Sequence, residues 1–120
     1  MNFTKLVSSV FYHDLNDGLE MFVNCLEFTV AHQDLHTSQP YCVLRKGQIG
    51  LMLFQDKELA EEHHPELRLV TDNIEEVFAK VSSTHPHFLH PNLNQITLRP
   101  WGAREFAITD KQLGIRFQQW

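Results

Sequence analysis

The chain has 120 residues, of which 42% are hydrophobic and 21% are charged, and these values predict a single globular domain spanning residues 1–120. The net charge of −5 argues against nucleic-acid binding, because no basic stripe is present that could neutralise phosphates. No apolar run is long enough to cross a membrane and residues 1–5 lack the apolar core of a signal peptide, so we expect a cytoplasmic protein without membrane contacts. Two cysteines, Cys25 and Cys42, give no disulfide framework and are predicted to be reduced core residues.

The first half of the chain predicts a strand, a helix and three further strands. Residues 5–12 alternate as a strand, Asp14 is a favourable helix N-cap, and an apolar stripe follows it at helical spacing. A third element, over residues 27–32, is predicted as a strand, and a polar stretch then leads into a hairpin around Gly47 with arms 41–45 and 49–54. In the first strand, alternation separates two faces, which are Leu6, Val10 and Tyr12 against Val7, Ser9 and Phe11.

The second half repeats this order after an acidic linker over residues 55–65. Residues 66–71 predict a strand, and Asp72 with Glu75 predicts a capping box that opens a helix. Three strands follow: one in either 87–90 or 95–99, one over 104–109 and one over 114–118.

The repetition divides the chain into a first module of about residues 1–56 and a second of about 65–120. Half a chain cannot bury both faces of its own sheet, which favours two sheets paired around a shared concavity. The predicted fold class is therefore α+β, with two paired βαβββ modules that form curved sheets around a cleft.

The segment from Pro100 to Asp110 is the most informative motif of the chain. Gly102 provides a position where positive φ carries little penalty, and the following strand is predicted to bury one face, with Phe106 and Ile108 alternating with Glu105. Trp101 at this turn fits two interpretations from physics alone. Its ring lies across the mouth of a pocket and contacts a ligand, or it only closes the end of a sheet.

Trp101-Gly102-x-Arg104-Glu105-Phe106 followed by Asp110 resembles the C-terminal signature of the vicinal-oxygen-chelate superfamily, in its glyoxalase/bleomycin-resistance-protein branch. The order of elements agrees with that branch over nearly the whole chain. The resemblance implies paired βαβββ modules, commonly in a homodimer, with ligand clefts formed by the curved sheets. One departure is that Lys111-Gln112-Leu113-Gly114 replaces the branch's Pro-Asp-Gly turn, which leaves the register of the final hairpin open.

Enzymes of this superfamily hold a divalent metal on three of these strands, and the resemblance places the matching positions at Val7, Glu66 and Arg116, with Ile115 or Phe117 as alternatives to Arg116. Only Glu66 is a metal ligand, and a cation at Arg116 would repel one, so we expect no metal or other cofactor and a Glu66–Arg116 ion pair instead. Two histidine clusters keep an unrelated metal site open as an alternative, although solvated loop histidines are the preferred interpretation. These clusters are His63 with His64, and His85, His87 and His90.

The sequence is compatible with two functions. The first is a metal-free, non-enzymatic protein that binds and sequesters a small amphipathic or cationic molecule of antibiotic type, as the resemblance implies. The alternative is a metal-dependent enzyme of the glyoxalase or dioxygenase type. For the binding protein, Trp101 would stack on the ligand, Tyr41 and Phe54 would extend an aromatic wall, and polar anchors would come from Ser9, Glu66, Arg68 and Arg116.

Overall fold

The structure is a computed structural model that describes residues 1–120, and the chain forms two compact units, Met1–His63 and His64–Trp120. Each unit contains a strand, a helix and three more strands, so the predicted α+β class with a βαβββ repeat is confirmed. No helix is long and apolar enough to cross a bilayer.

The first unit is a four-stranded mixed sheet with its first helix on one face. Strand β1 (Val7–Tyr12) pairs in parallel with β4 (Ile49–Gln55), and β3 (Tyr41–Lys46) pairs in antiparallel fashion with both β4 and β2 (Thr29–Asp34), giving the order β1-β4-β3-β2. The hairpin turns at Gly47, whose φ is 59°, as predicted. The elements are β1 Val7–Tyr12, α1 Leu15–Leu19, π-helical turns over Glu20–Cys25, β2 Thr29–Asp34, β3 Tyr41–Lys46, β4 Ile49–Gln55 and α2 Lys57–Glu62.

The face of this sheet that meets the helix is closely packed. Val10, Leu44 and Leu53 are fully buried there, while Leu6 precedes β1 and is exposed. Gly18 explains how α1 approaches the strands: a Cβ at this position would lie 2.8 Å from Leu53 Cδ1 and 2.8 Å from a ring carbon of Tyr12. A glycine that lowers helix propensity is therefore required by the packing.

The second unit repeats the same sheet order, β5 (Glu66–Val70), β8 (Gly114–Gln119), β7 (Arg104–Thr109) and β6 (Thr97–Leu98), with β5 and β8 parallel and the other pairs antiparallel. Its helix packs on β7 and β8, and Phe106 packs edge-on against Phe78 of that helix with ring centroids 5.1 Å apart. The elements are β5 Glu66–Val70, α3 Ile74–Thr84, a 3₁₀ turn over Pro86–Phe88, β6 Thr97–Leu98, β7 Arg104–Thr109 and β8 Gly114–Gln119.

Several boundaries differ from the sequence-based expectation. The acidic linker contains helix α2, whose N-cap is Asp56 and whose Ala60 is fully buried. Helix α3 begins one residue later than predicted, because Asn73 rather than Asp72 caps it and accepts a hydrogen bond from the Glu76 backbone. The ambiguous strand lies within 95–99, as β6, while residues 86–88 form the 3₁₀ turn.

The histidines near residue 85 do not all lie in solvent. His85 is buried and stacks on Phe88 with ring centroids 5.3 Å apart and an interplanar angle of 8°. His87 is exposed, in agreement with the loop interpretation. The expectation of a solvated His85 was wrong because the 3₁₀ turn folds its ring against an aromatic neighbour.

Candidate functional site

The face of the second sheet opposite α3 carries most of the polar residues selected from the sequence. Register places Arg68 beside Arg116, and Glu105 beside Gln118, on one face of the sheet. Side chains alternate between the faces of a strand, so Arg104 and Phe106 point towards α3 while Glu105 points to the opposite face. In both units, the sheet face opposite the first helix of the unit is called the open face. Arg104 accordingly forms an ion pair with Glu75 of α3.

Glu105 is the centre of this open face. Its carboxylate is fully buried and accepts hydrogen bonds from Trp101 Nε1 at 2.6 Å, Gln118 Nε2 at 2.7 Å and Arg116 Nη1 at 3.3 Å. The prediction that β7 buries only one face was wrong, because Glu105 and Ala107 are buried as well as Phe106 and Ile108. The buried charge is tolerated because it is paired and hydrogen-bonded.

Opposing effects act on the pKa of Glu105. Burial raises this pKa, while the hydrogen bonds from Gln118, Trp101 and Arg116 and the charge of Arg116 lower it. The lowering effects prevail, so the pKa of Glu105 lies below its ordinary value. At neutral pH the group is therefore a carboxylate that acts only as an acceptor.

Glu66 and Arg116 form the predicted ion pair. Arg116 Nε lies 2.7 Å from Glu66 Oε1, and Arg68 approaches the same oxygen at 3.9 Å. Arg116 thus bridges two carboxylates, the half-exposed Glu66 and the buried Glu105.

Trp101 lies in the tight turn that joins β6 to β7. The Gly102 backbone donates to the carbonyl of Arg99 at 2.9 Å, with Pro100 second in the turn and Gly102, at φ 100°, in the position predicted for a glycine. The guanidinium of Arg99 lies 5.0 Å from the centroid of the Trp101 ring, a cation–π contact. Trp101 is still 46% exposed, so much of its ring remains accessible to a ligand.

The open face of the first sheet carries the other three selected residues. Register places Phe11, Phe54 and Tyr41 side by side, with Ser9 next to Met52 one pair further along. The Phe11 and Phe54 rings stack with centroids 5.6 Å apart, and Tyr41 lies 6.4 Å from Phe54. The three aromatic side chains are only partly buried, so they form an aromatic surface that faces away from the helix.

The structure therefore brings the selected residues together as two groups, each within one unit. Ser9, Tyr41 and Phe54 share the open face of the first sheet, and Glu66, Arg68, Arg116 and Trp101 share that of the second. Sequence reasoning missed Glu105 and Gln118, although the period-2 pattern put Glu105 opposite Phe106 and thus on this face. It also missed Phe11, although the period-2 pattern of β1 puts Phe11 on the same face as Ser9. Met52, which lies beside Ser9 in the neighbouring strand, was missed as well.

The residues present do not fit the metal of the superfamily's enzymes. Val7 has no donor, and Glu66 is engaged with two arginines. No group of three or more His, Cys, Asp or Glu side chains in the chain could hold a metal ion. No reaction step through a metal follows from this geometry.

Comparison with known proteins gives structural neighbours only, since no family model and no curated protein matches the sequence. A bleomycin-binding protein solved with bleomycin is 19% identical, with a TM-score of 0.74 over 98% of this chain and 99% of that chain. A member of the glyoxalase/bleomycin resistance protein/dioxygenase superfamily from Sphaerobacter thermophilus is 14% identical, with a TM-score of 0.75 over 99% and 98%. An antibiotic-binding protein from Streptomyces is 16% identical, with a TM-score of 0.76 over 98% and 96%. The chain thus has the fold that its sequence motif predicted.

Proposed function

We propose that this chain is a member of the glyoxalase/bleomycin resistance protein/dioxygenase superfamily that binds and sequesters a small amphipathic or cationic molecule without a metal and without catalysis. Sequestration requires a surface with aromatic contacts and a few polar anchors, and no stabilisation of a transition state. Residues on the open faces of the two sheets provide both the aromatic contacts and the polar anchors.

The observation that carries this proposal is the Glu66–Arg116 ion pair. In the superfamily's enzymes the matching positions hold metal ligands, whereas here one carboxylate and one guanidinium lie 2.7 Å apart and satisfy each other. A cation at Arg116 raises the electrostatic cost of placing a divalent ion beside Glu66. Because these positions lack a set of metal ligands, the site favours binding over metal-dependent catalysis.

Trp101 provides the most direct test of ligand binding. The chain has two tryptophans, so Trp120→Phe leaves Trp101 as the only indole fluorophore. This variant is titrated with glycopeptide, anthracycline and peptide antibiotics. A saturable change in emission is expected with at least one compound, and the change should be absent in Trp101→Phe, which retains Trp120. No response across the panel would contradict the proposal.

Elemental analysis separates the binding protein from a metal-dependent enzyme. Purified protein is incubated with nickel, zinc, manganese or iron, dialysed and analysed for bound metal. We expect much less than one ion per chain. A stoichiometric ion that is lost in Glu66→Gln would instead support the glyoxalase or dioxygenase alternative.

We also propose that the protein is a cytoplasmic homodimer, as the resemblance implies. Light scattering coupled to size exclusion tests the assembly, with twice the mass of the chain as the expected result. A monomeric mass over a wide range of concentrations would contradict this part of the proposal.

A further inference from the structure

We propose that the second unit binds an anionic group of its ligand, most simply a carboxylate attached to an aromatic ring that packs against the exposed edge of Trp101. This inference rests on the proposed function and narrows it, because it selects an anionic amphipathic ligand over a cationic one. The residues that carry it are the charged stripe, defined as Glu66, Arg68, Arg99, Glu105 and Arg116.

The charges of the stripe do not balance. The stripe contains three guanidinium groups and two carboxylates, which leaves one positive charge although the whole chain has a net charge of −5. Charges elsewhere in the chain are screened over roughly 8 Å at physiological salt, so the nearby arginines dominate at the stripe. A cationic ligand group would meet a repulsive local field there, and an anionic group an attractive one.

The acceptors of the charged stripe are more fully occupied by hydrogen bonds than its donors are. Glu105 already accepts from three donors, and Glu66 Oε1 faces both Arg116 and Arg68. The donors are less well used. Arg68 reaches Glu66 only at 3.9 Å, and the buried Nε of Arg99 has no hydrogen-bond partner. A ligand that completes this face must therefore bring acceptors.

Trp101 connects this surplus of donors to an aromatic surface. Its N–H is bound to Glu105, which fixes the plane of the indole, and Arg99 lies over the ring. A ligand ring that packs against the exposed edge of Trp101 on the side of Arg99 would bring a carboxylate substituent near the Arg99 guanidinium. Planar bidentate pairing with a carboxylate is the interaction for which a guanidinium is best suited.

The test uses three probes that share one ring and differ in charge: 2-naphthoate, 2-naphthamide and 2-naphthylmethylamine. Binding to ¹⁵N-labelled protein is followed through the Trp101 indole N–H and the Arg99 Nε–H signals, with Trp120→Phe assigning the former. We expect 2-naphthoate to bind at least about tenfold more tightly than the amine, which corresponds to 1.4 kcal/mol. Its affinity should fall as salt is raised.

Two variants and one control locate the effect. Arg99→Gln should weaken 2-naphthoate binding by about three- to tenfold and leave the amide unchanged, whereas Arg68→Gln, on the strand at the opposite edge of the sheet, should weaken it less than Arg99→Gln does. Lys57→Gln makes the same change in charge on an exposed residue of α2 and should have no effect. If the amide or the amine shifts Trp101 and binds as tightly as the carboxylate, the anionic site is refuted while sequestration survives. If no probe shifts Trp101, the anionic site is refuted, and the antibiotic titration decides separately whether sequestration survives.

Discussion

The indole N–H of Trp101 donates to the carboxylate of Glu105 at 2.6 Å, and the two residues are four positions apart across a tight turn. The contact ties an exposed aromatic side chain of the second unit to its most buried charge. A buried carboxylate thus orients a ring that faces solvent, which reduces the entropy lost when a ligand stacks on that ring.

Glu105→Ala should destabilise the protein by about 3–5 kcal/mol, because Arg116, Gln118 and Trp101 would all lose a buried partner. Glu105→Gln keeps the shape and an acceptor oxygen and should cost only about 1–2 kcal/mol. Urea unfolding measures both values. Equal costs for the two variants would contradict the prediction, because they would show that the volume and the acceptor oxygen retained by Gln contribute nothing to stability.

The lowered pKa of Glu105 predicts a stability that depends on acid pH. Because the folded-state pKa is lower than that of the unfolded chain, the stabilisation is complete above the unfolded value and is lost as pH falls through the folded value. Below the ordinary value of 4.5, stability should therefore fall more steeply in the wild type than in Glu105→Gln. The excess slope is at most about 1.4 kcal/mol per pH unit for one proton. Denaturant unfolding between pH 3 and 7 would measure it, and parallel curves would contradict the prediction.

The two partners of the Glu66–Arg116 pair should differ in their effect on stability. Glu66 is half exposed, so Glu66→Gln removes a pair at the surface and should cost less than about 1 kcal/mol. Arg116→Met keeps much of the side-chain volume but removes a charged donor from buried Glu105, and should cost about 2–3 kcal/mol. Thermal or urea unfolding of both variants tests this order. A larger cost for Glu66→Gln would mean that the outer pair dominates.

Local sequence patterns predicted the repeat, the hairpin at Gly47 and the turn at Gly102, because periodicity and backbone preference are local properties. The burial of Glu105 could not be predicted in this way. Alternation shows which face a residue occupies, but whether that face is dry depends on Trp101, Arg116 and Gln118, which come from the preceding turn and the neighbouring strand. Sequence therefore predicted Glu66, Arg68, Arg116 and Trp101 for the candidate site and missed Glu105, which lies between Arg116 and Trp101.

Errors at the helices have a similar origin. Asp72 and Asn73 are both good caps, and the choice depends on where the strand before them ends. Residues 55–65 were interpreted only as an acidic linker, yet Asp56 caps a short helix there and Ala60 anchors it in the core. A single buried alanine among charged residues is too weak a pattern to predict a helix.

A glutamine at the end of the last strand receives the first helical N–H in each unit. Leu15 N donates to Gln55 Oε1 at 3.0 Å, and Ile74 N donates to Gln119 Oε1 at 2.8 Å. The side chain thus satisfies one of the free donors at the start of the helix and joins it to the sheet. The two halves of the chain repeat this contact as well as their order of elements.

Gln55→Met and Gln119→Met remove the acceptor while keeping the length of the side chain, and each should cost about 0.5–1.5 kcal/mol. The two contacts share no partner, so the double variant should show the sum of the single costs within about 0.5 kcal/mol. Gln95→Met, at an exposed position, is the matched control and should be close to neutral. Urea unfolding with a fixed m-value measures all four variants. Single variants as stable as the control would show that water replaces the glutamine at both helix starts, because an exposed N–H can be solvated without loss.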